Sequence, residues 1–341
     1  MILVTGASGH LGANLTRRLV REGAELRLLA RPSTDRASFE GVPAEIVEGD
    51  LTDPASCRRA VRGVGRIYHC AAQISTHYGA AQSIFRNNVL GTRNLLRAAH
   101  EAGVERVVVS GSFSATGHRV DRPTDESEPF NPLEPHLPYA FTKAAVEHEG
   151  LKACVEGLPV VVAVSCAILG PFDFKPSRMG RVLQRFARGR IIAYVPGGFE
   201  FVAARDIVEG HLLAMANGRP GQKYIFSTRF ATFDEIMDLF ARVTERGKPP
   251  LRLPPELMGA AARLAEPLMR RVLPGTPQLL TPAAIRLLSL GRRVDCAKAR
   301  QELGYRPTNI ETAIEEAYEW FVATGRIAGP ARPLRAAALK R

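Results

Sequence analysis

Ile2-Leu3-Val4-Thr5-Gly6-Ala7-Ser8-Gly9-His10-Leu11-Gly12 is the stretch on which the fold turns. Residues 2–4 are apolar with β-branched ends, Leu11, Leu15 and Leu19 recur at helical spacing, and three glycines lie between. Strand, glycine turn and helix in that order form a unit whose turn can hold a pyrophosphate. The missing Cβ at Gly6 permits the tight turn, at Gly9 it admits the phosphates to the backbone, and at Gly12 it lets the helix pack on the strand. The N–H groups at the helix start then meet the anion.

Working outward, Glu25 to Ala30 reads as a second strand. An acidic residue at its end would accept from a ribose 2′-OH and mark NAD. This chain has Ala30-Arg31 there, with Arg36 nearby. Arginine offers a fork of donors that suits a 2′-phosphate, so NADP(H) is the expected cofactor and NAD(H) the alternative. A third strand, Ala44 to Val47, runs into Gly49-Asp50-Leu51, where Asp50 can accept from the adenine amino group; Asp53-Pro54 reads as a helix cap and first helical residue.

A further apolar strand, Val107 to Val109, ends in Ser110-Gly111-Ser112, and the segment after Pro138 carries Tyr139 and Lys143 at i and i+4 of a helix. A free phenol titrates near ~10. A neighbouring ammonium, and the charge of an oxidised nicotinamide, would favour phenolate and bring it toward neutral pH. The expected chemistry is carbonyl reduction. Tyr139 gives the proton, Lys143 holds the cofactor ribose and tunes the phenol, Ser112 donates to the developing alkoxide, and Asn88 joins a proton relay. His69 follows a strand and borders the cofactor or sits as a satisfied core histidine. Glu147-His148-Glu149 lacks the second histidine of a zinc-protease helix, and no metal is expected.

These stretches, with GDLTD at 49–53, HCAA at 69–72, NVLGT at 88–92, YAFTK at 139–143, LGP at 169–171 and ELGYRP at 302–307, resemble an extended short-chain dehydrogenase/reductase over almost the whole length. Within that superfamily the chain is most similar to the dihydroflavonol-4-reductase-like branch, which includes hopanoid-associated sugar epimerases and relatives of 3β-hydroxysteroid dehydrogenases. The resemblance implies Ser112, Tyr139 and Lys143 as the catalytic trio, with Asn88 beside them. The candidate cofactor set is Gly6, Ser8, Gly9, His10, Leu11, Gly12, Arg31, Arg36, Asp50, Leu51, Ala71, Ala72, Tyr139, Lys143 and Ile168. A homodimer through the helices around 81–102 and 139–156 is implied in the same way. Nucleotide-sugar epimerases of the superfamily carry asparagine and arginine where this chain has Ala167 and Val164, which weakens a sugar-nucleotide reading.

At 341 residues the chain is long enough for a cofactor domain and a smaller lobe. Alternating strand and helix patterns through Ser165 predict an α/β fold: a doubly wound parallel sheet (Rossmann) followed by a smaller, mainly helical C-terminal substrate lobe. The expected division is 1–170 for the NADP-binding domain, with segments near 200–216 returning to it, 171–325 for the lobe and 326–341 for a basic tail. Thr232 to Glu235 reads as a capping box, and Phe172 to Pro176 as an irregular loop beside the site.

Five cysteines without regular spacing suggest neither a disulfide frame nor a zinc set, and fit a reducing cytoplasm. The strand beginning directly after Met1 argues against a signal peptide, and no apolar run reaches the ~18 residues of a membrane span. Lys plus Arg (46) exceed Asp plus Glu (34), giving a net charge of +12. With no interleaved aromatics to stack bases, nucleic acid is not the expected partner. Pro254 to Arg293 contains basic amphipathic segments, read as lobe helices or as a weak membrane-surface contact. The leading expectation is thus an NADP(H)-dependent reductase or dehydrogenase acting on the carbonyl or alcohol of a hydrophobic small molecule. An NAD-dependent nucleotide-sugar epimerase and a non-catalytic NADP-binding protein are the alternatives.

Overall fold

Short apolar runs punctuated by amphipathic helices build one parallel sheet, and the computed structural model describes residues 1–74, 81–117, 121–130, 138–260, 285 and 288–328. The strands are β1 (Ile2–Thr5), β2 (Leu26–Ala30), β3 (Glu45–Glu48), β4 (Arg66–His69), β5 (Arg106–Ser112) and β6 (Val160–Ser165). The chain then leaves the sheet for β7 (Ala167–Leu169), β8 (Ala193–Tyr194) and β9 (Gly198–Ala203), and returns as β10 (Lys223–Phe226), followed by β11 (Arg229–Thr232) and β12 (Leu251–Arg252). The main sheet has seven strands in the order β10-β6-β5-β4-β1-β2-β3, all parallel. Val107, Val108, Val109, Val161 and Val164 are fully buried, as expected of central strands covered on both faces.

The helices are α1 (His10–Arg21), α2 (Pro54–Val61), α3 (Ala81–Phe85), α4 (Gly91–Glu101), α5 (Pro138–Val155), α6 (Arg178–Ala187), α7 (Ala204–Asn217), α8 (Phe233–Thr244), α9 (Ala297–Leu303) and α10 (Ile310–Ala323). Between α3 and α4 lies a π-helical segment, Arg86–Leu90. Strand order reverses between β1 and β4, so a crevice opens there beyond the carboxyl ends of the strands.

Residues beyond 200 rejoin the main core at several places. Ile207 and Met215 of α7, Tyr224 and Phe226 of β10, and Leu303 and Tyr305 all pack with Leu15 and Leu28. A second core gathers Leu183, Phe201, Phe240, Trp320 and Phe321 beneath α6, α8 and α10, with the sheet β11-β9-β7 between them. The capping box expected at α8 is formed, Thr232 and Glu235 each accepting from the other's backbone N–H. Of the amphipathic stretch 254–293, Ile285 and Leu288 are buried, and residues 261–284 lie outside the described residues. The basic tail beyond Ala328 lies outside them as well. Among the described residues no helix is long and apolar enough to cross a membrane.

Candidate active site and dinucleotide crevice

The glycine turn is shaped by what would not fit in it. Gly6 has φ +73°, and a Cβ there would stand 2.6 Å from the Ala71 backbone. At Gly12 a Cβ would come within 2.2 Å of the Gly6 carbonyl oxygen, so this glycine closes the turn upon itself. Gly9 takes the N-cap position of α1 without a side chain to cap it, and no acid lies in the first turn. A helix start finished in this way leaves its N–H dipoles for an anion.

Beside the turn is a cavity of about 620 Å³, a size suited to a cofactor. Gly6, Ser8, Gly9, Arg31, Asp50, Leu51, Ala71 and Ala72 of the expected set line it, and so does Asn88. The other expected residues stand elsewhere. Leu11 is turned into the core, and Ile168 lies in β7 opposite Val202. Arg36 is ion-paired with Glu48, a partner that the spacing of the arginines did not suggest. His10 Nε2 lies 3.2 Å from the Gly170 carbonyl oxygen. Thr34, Phe39, Gln73, Ser83, Asn87 and Lys175 line the cavity without having been singled out in the sequence. Lys175 comes from the expected irregular loop, which is fastened to α1: Asn14 donates to the Pro171 carbonyl at 2.8 Å, and the Arg17 guanidinium stacks 4.5 Å from the Phe172 ring centre.

The catalytic candidates meet at the end of β5 and the first turn of α5. The Ser112 hydroxyl acts on the Tyr139 phenol, favouring its ionised form, and its Oγ lies 2.8 Å from Ser114 Oγ. Lys143 is 4 % exposed and donates through Nζ to the Ser110 carbonyl at 2.7 Å. The expected lowering of the phenol is not what the protein alone produces. Burial pushes Tyr139 up to about 12, and the Ser112 hydroxyl opposes the rise only in part. Burial also lowers Lys143 to about 8. Asn88 Oδ1 accepts from Gln73 N at 2.7 Å, and Nδ2 donates to Gln73 O at 3.0 Å and to Thr142 Oγ1 at 3.2 Å. Thr142 in turn donates to the Tyr139 carbonyl at 2.9 Å, so Asn88 braces the turn that bears the phenol. His69 is a satisfied core histidine, bonded to Thr5 Oγ1 at 2.7 Å and Thr92 Oγ1 at 2.8 Å.

The chain resembles known proteins over nearly its whole length. The profile described as "NAD dependent epimerase/dehydratase family" matches residues 2–226. "Sterol demethylase protein B" of Methylococcus capsulatus is 42% identical over 325 residues, covering 95% of this chain and 99% of that protein. A "putative dihydroflavonol 4-reductase" of Synechocystis sp. is 31% identical over 333 residues, covering 95% of each. Among solved structures, that of gox2253 superposes with a TM-score of 0.84 at 32% identity, covering 96% of this chain and 99% of the other.

Proposed function

The chain belongs to the NAD dependent epimerase/dehydratase family, and we propose that its own reaction is the NADP(H)-dependent interconversion of a carbonyl and a secondary or primary alcohol on an apolar small molecule. The observation that carries this reading is the meeting of the Ser112 and Tyr139 hydroxyls one helical turn from a buried lysine, beside a crevice with an open glycine turn. Gly6 and Gly12 let the turn close where any Cβ would strike backbone, and the N-cap at Gly9 carries no side chain, so the residues present fit a dinucleotide.

A bound nicotinamide dinucleotide supplies the hydride. The start of α1, with Gly6, Ser8 and Gly9, binds the pyrophosphate; Arg31 takes the 2′-phosphate; Asp50 accepts from the adenine edge; the Lys143 ammonium holds the ribose hydroxyls. In the reducing direction Tyr139 Oη gives its proton to the substrate oxygen, and Ser112 donates to that oxygen as negative charge builds. A phenol held near 12 keeps its proton at neutral pH, which suits the donor. In the oxidising direction the Tyr139 phenolate takes the proton from the alcohol, so positive charge beside the phenol must first lower it enough to ionise.

The printed names of the two relatives support an apolar polycyclic substrate. Ala167 and Val164 argue against a sugar nucleotide, since Val164 is fully buried in β6 and offers no cation. Copurifying NAD with no net cofactor consumption would favour the epimerase instead. We also propose a cytoplasmic homodimer through α4 and α5. Phe141, Leu151 and Val155 of α5 are exposed, and the five cysteines are all free. The decisive experiment is NADPH oxidation against aldehydes, ketosteroids, flavanonols and nucleotide sugars, with Tyr139→Phe alongside. Turnover by the variant falls by about a thousandfold or more, with unchanged NADPH affinity. Substantial retained turnover would remove Tyr139 from the mechanism.

A further inference from the structure

Tyr139, Lys143 and Glu147 follow one another down one face of α5, each one helical turn after the last. The reaction above uses only the first two. Glu147 is 1 % exposed, and neither carboxylate oxygen has a hydrogen-bond partner. Lys223 Nζ, from β10, stands 3.8 Å away. A buried carboxylate without donors is costly: burial pushes this one up to about 7 while the Lys223 and Lys143 ammoniums oppose the rise, so its position calls for a physical reason.

Lys143 has the complementary need. Around it stand His69 of β4, Cys70 just beyond, and His211 of α7, besides Tyr139 and Glu147 on its own helix. Burial pushes the two histidines down to about 3 and about 4, and the Cys70 thiol up to about 11, so all three are neutral near pH 7. Their hydrogen bonds fit that state: His211 Nε2 lies 2.8 Å from Ser110 Oγ, and its Nδ1 lies 2.8 Å from the Ile207 carbonyl oxygen. Among the described residues, Glu147 is the carboxylate whose charge acts on this ammonium.

We propose that Glu147 is a positioning residue whose ionised form keeps the Lys143 ammonium charged in a dry site, with Lys223 favouring that form from the carboxylate's other side. The inference rests on the function proposed above in one respect, that Lys143 binds the cofactor ribose. Its sign follows from the chemistry of an ammonium. The charge is present below the lysine's pKa and lost as pH rises through it. Burial already places that point at about 8, and removing the nearby negative charge moves it lower still.

The test measures NADH affinity by nicotinamide fluorescence from pH 6.5 to 9.5; NADH lacks the 2′-phosphate, which would titrate in its own right. In the unaltered protein the Kd rises roughly tenfold as the ammonium is lost, with its midpoint near pH 8. Glu147→Gln lowers that midpoint by about one pH unit and leaves the Kd at pH 6.5 close to that of the parent. Glu147→Asp restores the midpoint. Lys223→Gln, at a position nearer the surface, moves the midpoint in the same direction by less, because Glu147 then stays protonated to higher pH. A Glu147→Gln curve raised equally at every pH would show a merely structural role and overturn the inference, as would a parent Kd that does not change with pH. Failure of the parent to bind NADH or NADPH at all would overturn the proposed function as well.

Discussion

Two helices begin at the carboxyl edge of the same sheet, and they are finished in opposite ways. At α2 the chain completes itself: the Asp53 carboxylate accepts from Ala55 N and Ser56 N at 3.0 Å each, and Pro54 fills the first helical position. At α1 it does not. Gly9 has no side chain to offer, the first turn carries no acid, and the cavity lies alongside. The same strand–turn–helix grammar thus serves the protein's own stability at one start and, on the proposed function, a ligand at the other. A side chain at N-cap tells the two apart.

The most severe way to break this contrast is to add a Cβ to the open turn. Gly12→Ala would place a methyl 2.2 Å from the Gly6 carbonyl oxygen, and neither atom belongs to a flexible side chain. Affinity for NADH should fall by about a hundredfold or more, measured by fluorescence titration, and a retained Kd would mean that the turn opens at little cost. Arg31→Asp sharpens the contrast by asking which anion the open end prefers. It should lower the ratio of NADPH to NADH affinity by roughly tenfold to a hundredfold while sparing NADH, and an unchanged ratio would return Arg31 to the role of a surface cation. The smallest effect belongs to the closed start. Asp53→Ala should lower the melting temperature by on the order of 2 °C and leave dinucleotide affinity alone, and a change in affinity would show that the two helix starts are not separate.

What could be read in advance follows this division. The glycine turn, the capping box at Thr232 and the Tyr139–Lys143 pair are encoded within a few residues, and local spacing is enough to find them. Lys143 reaching the Ser110 carbonyl, Asn88 bracing Thr142 and Lys175 entering the cavity join segments 33, 54 and more than 160 residues apart, and no local pattern specifies such meetings. The state of the phenol in the protein alone depends on more than spacing for a related reason. Spacing supplied the cation beside it, but desolvation belongs to the packed protein and acts in the opposite direction. Glu147 did leave a signal, a carboxylate one turn beyond a lysine itself one turn beyond a tyrosine.

On the proposed function, the uncapped start of α1 would also couple metabolism to the persistence of the fold. A helix whose first N–H groups are met by a soluble anion has part of its stability outside the chain, and that part grows with the logarithm of the dinucleotide concentration, reaching about 2.7 kcal/mol at a hundredfold excess over Kd. Depletion of the nicotinamide pool would therefore slow the enzyme and, at the same time, bring its folded state nearer to melting.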